Sequence, residues 1–301
     1  MGFAFCLPEK KAMRFANLAL SGGAHFCLAF IGFLAGAREA VRGATCVSGT
    51  SGGALVAASF VLDIPDDALL RMLAEHMGGG LLSGASVGTL WRGFGAVDVE
   101  DTIGRMARDI IGFGVARWKV LGRGWAPGGE EAEDGDVTMR QLAQLTGKWL
   151  VVHAMDVSTG GARGVCLTPE SHPDLEVWRA LAASCALPLA FTPVRVGDRL
   201  LCDAVLLGAD PCAGIPGAPP PPGARDTLAL CVDFPESEQQ REAPQEGRPP
   251  DSLLAHARCL LGALAERIVA GPESPRAAVV RVPGWTDRMV SPMVSGIDGE
   301  A

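Results

Sequence analysis

Ala44-Thr45-Cys46-Val47-Ser48-Gly49-Thr50-Ser51-Gly52-Gly53-Ala54 is the stretch that decides the fold of this chain. Residues 44–47 are a β-type apolar run, residues 48–53 a glycine-rich turn, and residues 54–62 continue as an apolar helix. The segment before it has the same plan. Residues 15–20 read as a short buried strand, Ser21-Gly22-Gly23 as the turn, and the apolar stretch opening near Ala24 as a helix. Two strand–turn–helix units in succession predict an α/β fold with a mainly parallel sheet and helices on its faces.

Further elements follow downstream. A helix after Pro65 carries Leu69, Leu70 and Leu73 on one side and is closed by Gly78-Gly79-Gly80, and Val99, Ile103, Met106 and Ile110 keep helical spacing in another. Thr138 with Gln141 forms a capping-box pattern for a helix ending before Gly147. Residues 149–155 read as a buried strand before Asp156, and residues 175–183 as a helix. Residues 194–196 and 199–202 read as two strands hinged at Gly197-Asp198, with Asp203 at the end of the second. Residues 122–136, 214–225 and 236–250 are loop-like, residues 252–270 an amphipathic helix and residues 277–282 a last strand. This gives an N-terminal extension over 1–14, a unit carrying the motifs over 15–212, and a segment over 213–301 that completes the same domain.

Composition narrows the function. With 301 residues, 48% apolar and 20% charged, the chain has the material for a large core, which excludes disorder for most of it. Its 26 basic against 34 acidic residues give a charge of −8, so nothing electrostatic points to nucleic acid or to anionic membrane surfaces. The nine cysteines are odd in number, contain no C-x-x-C pair and lie in apolar stretches, as buried thiols of a reducing compartment do. The five histidines pair with no cysteine at ligand spacing, so neither a metal nor a cofactor is expected. The apolar runs over 24–37 and 54–64 are shorter than the roughly 20 residues a membrane span needs, and Glu9, Lys10 and Lys11 follow an apolar start in the reverse of signal-peptide order. A cytoplasmic chain is expected, with peripheral contact the most it makes with membranes. Trp91 and Phe94 near Leu81-Leu82, or Trp125, are its candidate interfacial anchors.

Gly49-Thr50-Ser51-Gly52-Gly53 fits G-x-S-x-G between a strand and a helix, where a sharp turn lifts the serine hydroxyl above the sheet. Acyl transfer also needs donors aimed at a developing oxyanion. The main-chain N–H groups of Gly22, Gly23 and Ala24, at the same sheet edge, and that of Gly52 are the candidates. There is no G-x-G-x-x-G and no P-loop lysine, which removes the nucleotide-loop alternative. The base is either Asp203 alone or Asp203 acting with His256 as in a Ser-His-Asp triad. The position of His256 inside an amphipathic helix speaks against the triad.

These blocks carry a resemblance. Leu18-Ala19-Leu20-Ser21-Gly22-Gly23, the Gly49 to Gly53 elbow, Ala183-Ser184-Cys185-Ala186-Leu187-Pro188 with Phe191 and Pro193, Asp203 and then Pro211 stand in order over two thirds of the chain. In this the chain resembles the patatin-like phospholipase family. The resemblance implies a three-layer α/β/α sandwich and a Ser51–Asp203 dyad that acts on lipid or phospholipid esters without a cofactor. It also implies an oxyanion loop at Gly22, Gly23 and Ala24. The family's G-G-G-x-R/K-G pattern is interrupted here by Ala24, Phe26 and Cys27, and Ala204 and Val205 replace the small pair after the aspartate. Two readings follow: a lipid acyl hydrolase, or a catalytically impaired lipid-binding or interaction protein that keeps the fold.

Overall fold

Along β1 (Asn17–Leu20) Leu18 and Leu20 join one buried apolar cluster while Ala19 joins another. The same division holds in β2 (Cys46–Thr50), where Val47 and Cys46 part company, and in β4 (Trp149–Asp156), where Leu150 and Val152 oppose Val151. A strand whose two faces are both apolar must be covered on both sides, which is the physical content of a three-layer α/β sandwich. The structure is a computed structural model that describes residues 14–23, 27–77, 93–122, 133–158, 161–207, 212–217, 226–233 and 277–283.

The remaining strands are β3 (Gly95–Val97), β5 (Arg163–Leu167), β6 (Leu189–Phe191), β7 (Val194–Val196), β8 (Arg199–Asp203), β9 (Thr227–Asp233) and β10 (Ala277–Pro283). The main sheet runs β10-β9-β1-β2-β4-β8-β7, with β5 also on β4. Strands β10, β9, β1, β2 and β4 are mutually parallel, while β5 and β8 pair antiparallel with β4 and β7 antiparallel with β8. The sheet is therefore mainly parallel, as the β-α repeats predict.

Helix α1 (Cys27–Val41) packs on β1 and β9, and α2 (Gly52–Val61) on β2, β4 and β1. Then come α3 (Asp66–Met77), α4 (Arg105–Val120), α5 (Met139–Thr146) and α6 (Val177–Cys185). Helix α4 is entered through a π-helical turn, Glu100–Gly104, and Val99, Ile103, Met106 and Ile110 are all buried along this path. The capping box of α5 is present in both directions, Gln141 N–H to Thr138 Oγ1 at 3.2 Å and Thr138 N–H to Gln141 Oε1 at 2.8 Å, and Gly147 ends the helix at φ 67°.

Several sequence expectations need correction. Strand β2 runs through Ser48-Gly49-Thr50 to Thr50, so the broad six-residue turn contracts to one residue, Ser51. Small residues looked like turn material, but in a parallel sheet they let neighbouring backbones approach. Leu70 is exposed while Leu69 and Leu73 are buried, because the core-facing stripe of α3 passes to one side of it. Strands β3, β5, β6 and β9 are additional to those expected. Ala24, Phe26, the 78–80 glycines, Leu81, Leu82, Trp91, Trp125, Pro211 and the 252–270 helix with His256 lie outside the described residues.

Candidate active site

Strand β4 is paired with β2 over residues 149–153 and with β8 over 154–156, while β5 pairs with it from Val152 to Asp156. A residue has only two hydrogen-bonding edges, so β2 and β8 lie end to end along the same edge of β4. Thr50 is opposite His153 and Asp203 is opposite Ala154, the next rung. Where β2 stops and turns at Ser51, β8 therefore delivers Asp203. This register brings together two residues 152 positions apart in sequence.

Ser51 has φ 53° and ψ −132°, a backbone conformation that side chains other than glycine's rarely adopt and that costs on the order of 1–3 kcal/mol. Close backbone packing enforces it. A Cβ on Gly49 would stand 2.5 Å from the Ala54 Cα, and one on Gly53 would stand 2.3 Å from the Ser21 carbonyl oxygen. Gly49 thus lets the elbow fold back onto the start of α2, and Gly53 lets it sit against the end of β1. A Cβ on Gly22 would come 2.7 Å from Val205 Cγ2 and 3.5 Å from Ser51 Cβ, so the glycine turn after β1 lies directly beside the elbow.

Hydrogen bonds hold the elbow from behind. The Ser51 N–H donates to Ser184 Oγ at 2.8 Å, and Ser184 Oγ donates to the His153 carbonyl at 2.7 Å. His153 Nε2 is 2.9 Å from the Ala213 carbonyl, which can only accept, so in the neutral ring Nδ1 accepts from the Thr50 hydroxyl, also at 2.9 Å. Thr50, Ser51, His153 and Ser184 are all buried, so the bonds among these four residues are made away from water.

Asp203 is 2% exposed. Its Oδ1 accepts from the Val205 N–H at 2.9 Å, and the Ser51 hydroxyl stands beside its carboxylate. Burial pushes this carboxyl up to about 7, against the opposing pull of the Ser51 hydroxyl and the Val205 N–H. Cys185, beside the same pair, is held well above the ordinary thiol value, chiefly by burial. Burial likewise raises Cys27 to about 12 and Cys202 to about 11. All three thiols are therefore neutral near pH 7.

Of the expected site residues, the structure brings Ser51, Asp203, Gly22, Gly23 and Gly52 to one end of the sheet; Ala24 and His256 lie outside the described residues. His153 and Ser184 were not expected to hold the elbow. Their signal is visible in retrospect: each is the lone strong hydrogen-bonding side chain inside an apolar run, W-L-V-V-H-A-M and A-L-A-A-S-C, and a buried polar group needs a partner. Among the described residues no group of three His, Cys, Asp or Glu side chains is arranged to hold a metal ion, and no helix is long and apolar enough to cross a membrane.

Among solved structures, the chain is similar to VipD from Legionella pneumophila, with TM-score 0.51 and 12% identity over 94% of this chain and 64% of that one. It is also similar to full-length ExoU in complex with SpcU from the type III secretion system of Pseudomonas aeruginosa, with TM-score 0.47 and 20% identity over 86% of this chain and 54% of that one. The VipD likeness is one of fold, an α/β architecture around a mainly parallel sheet. The chain spans less than two thirds of the length of either neighbour. No protein-family model matches the sequence, and no curated protein matches it.

Proposed function

We propose that this chain is a lipid acyl hydrolase that cleaves carboxylic esters through an acyl-enzyme on Ser51, with Asp203 as the base. The observation that carries the reading is the placement of a strained elbow serine beside a buried carboxyl that burial raises to about 7. A base works best when its pKa lies near the working pH.

Ionised Asp203 accepts the Ser51 proton as Oγ forms a bond to the ester carbonyl carbon. The carbonyl oxygen becomes an oxyanion, stabilised by main-chain N–H groups drawn from Gly22, Gly23, Ala24 and Gly52; one such donor typically contributes about 3 kcal/mol. Collapse breaks the C–O bond, and the departing alcohol takes the proton from Asp203. Water then attacks the acyl-enzyme, giving its proton to Asp203, and the carboxylic acid leaves as Ser51 recovers its proton. The Ser51 N–H, bonded to Ser184, is not among the oxyanion donors. No cofactor enters these steps.

Lipid as the substrate class rests on the family resemblance and on an exposed apolar pair, Phe94 and Leu189, described in the Discussion. The substitutions at Ala24, Phe26 and Cys27 favour the second reading, a lipid-binding protein with an impaired oxyanion loop. Fluorophosphonate labelling and turnover of a chromogenic ester test both. Labelling and turnover that vanish in Ser51→Ala support the hydrolase, whereas unlabelled wild-type protein supports the impaired form.

A further inference from the structure

A cavity lies toward the end of α2 that is far from Ser51. Helix α2 starts at the elbow and runs about 15 Å to its far end. There, the cavity of about 430 Å³ opens between α1, α2 and the start of β4, within the range of small-molecule sites. Leu34, Val56, Ile64 and Leu69 wall it, and all four are buried core residues. Phe60 and Trp118 flank them. The indole N–H of Trp118 is committed to the Leu62 carbonyl at 2.6 Å.

Charge is unevenly placed around these walls. Arg38, Arg42 and Lys148 line the cavity against Asp63 and Asp66, leaving one positive charge in excess. Both acids are engaged: Arg38 bonds Asp66 at 2.7 Å and lies 3.8 Å from Asp63, to which Arg117 also comes within 3.9 Å. Arg42 pairs with Glu39. Lys148 is half-buried with its ammonium 4.8 Å over the Phe60 ring, and burial outweighs the attraction of Asp63 in lowering its pKa. An ammonium held against a ring beside an aliphatic cavity favours an anionic head group, and a single excess charge favours a monoanion.

We propose that this cavity binds an amphiphilic monoanion, an aliphatic carboxylate whose head group meets Lys148 and whose tail lies along Leu34, Val56 and Leu69. The site is separate from Ser51 and does not depend on the hydrolase reading.

Calorimetric titration of Ser51→Ala protein with decanoate tests it, with decan-1-ol and inorganic phosphate as comparison ligands and catalysis not used as the readout. Decanoate should bind, and Lys148→Gln should weaken that binding by at least about tenfold, the worth of one charge-assisted contact, while Lys148→Arg largely restores it. Decanoate should also change the fluorescence of the chain, and Trp118→Phe should remove that change. Three results each overturn the proposal: decanol binding as tightly as decanoate, phosphate alone binding as tightly, or decanoate affinity indifferent to Lys148→Gln. If the Lys148 variants fail to fold, a fluorescence response that survives Trp118→Phe overturns it independently. None of these outcomes bears on labelling of Ser51, so failure here leaves the proposed function to its own test.

Discussion

The Ser51 N–H is bonded to the Ser184 hydroxyl at 2.8 Å, and Ser184 passes the restraint on to the His153 carbonyl at 2.7 Å. Ser51, just after β2, is thus tied through α6 to β4, which also pairs with the strand carrying Asp203. Ser184→Ala leaves a buried amide without its acceptor and a buried carbonyl without its donor, at a cost of about 1–3 kcal/mol for each group. The expected outcome is a lower urea midpoint together with fluorophosphonate labelling slowed by about tenfold or more. A variant that loses stability but labels at the wild-type rate would show that the bond supports the fold and not the nucleophile.

The strain at Ser51 predicts an inverted order of stabilities. Glycine is usually less stable than alanine by roughly 0.5–1 kcal/mol, because it loses more backbone freedom on folding. At φ 53° and ψ −132° the Cβ itself is the liability. Ser51→Gly and Ser51→Ala both lose the hydroxyl beside Asp203, but only glycine relieves the strain. Ser51→Gly is therefore expected to be the more stable of the two by about 1 kcal/mol or more in chemical denaturation, with no turnover in either. The ordinary order, alanine above glycine, would mean that the elbow is relaxed.

Asp203 links activity and stability to pH in opposite senses. As the proposed base it must be ionised, so kcat/KM should rise between pH 6 and 8 with a midpoint near 7. Its carboxyl titrates near 7 in the folded chain against an ordinary 3.8, so between those values the folded state holds the extra proton. The stability contributed by this group then falls as pH rises from about 4 to 7, by an amount on the order of 4 kcal/mol, and the deficit is complete above 7. Asp203→Asn keeps the shape without the charge. It should lose turnover, exceed wild type in stability at pH 8 and match it near pH 4. A flat rate profile from pH 5 to 9 would remove Asp203 from the role of base.

The strand–elbow–helix unit was legible because it is local: small residues at fixed spacing, an apolar run on either side, and a capping box at Thr138 that needs only four residues. Asp203 was legible as the end of a strand but not as the neighbour of Ser51, since that depends on β2 and β8 sharing an edge of β4, a pairing between distant segments. Strands β3 and β6 are three residues each, too short to show a period. Strand β9 has the apolar run of a buried parallel strand, T-L-A-L-C-V-D, but Pro-rich and polar segments flank it, so no neighbouring strand–turn–helix pattern marks it as part of the sheet. The hydrogen bonds of Ser184 and His153 belong to tertiary packing, and a sequence shows only that such residues need a partner somewhere.

The two-stranded β3–β6 sheet carries the remaining prediction. Gly95 pairs with Leu189, which places Phe94, the residue before it, close to Leu189. Phe94 is 69% exposed at φ 61° and Leu189 65% exposed at φ 71°. Two large apolar side chains held outward on positive-φ backbone is an unfavourable arrangement in water, and burial against lipid would recover roughly 1.5–3 kcal/mol for each. Leu189 lies four residues beyond Cys185, the thiol beside the Ser51–Asp203 pair, so an interface engaged here is joined by a short segment to the proposed chemistry. Phe94→Ser with Leu189→Ser should leave turnover of a water-soluble ester within about twofold of wild type. Co-sedimentation with zwitterionic phosphatidylcholine vesicles, chosen because the chain carries a charge of −8, should fall by about tenfold or more. Vesicle binding unchanged by the double substitution would assign the exposed pair to some contact other than lipid.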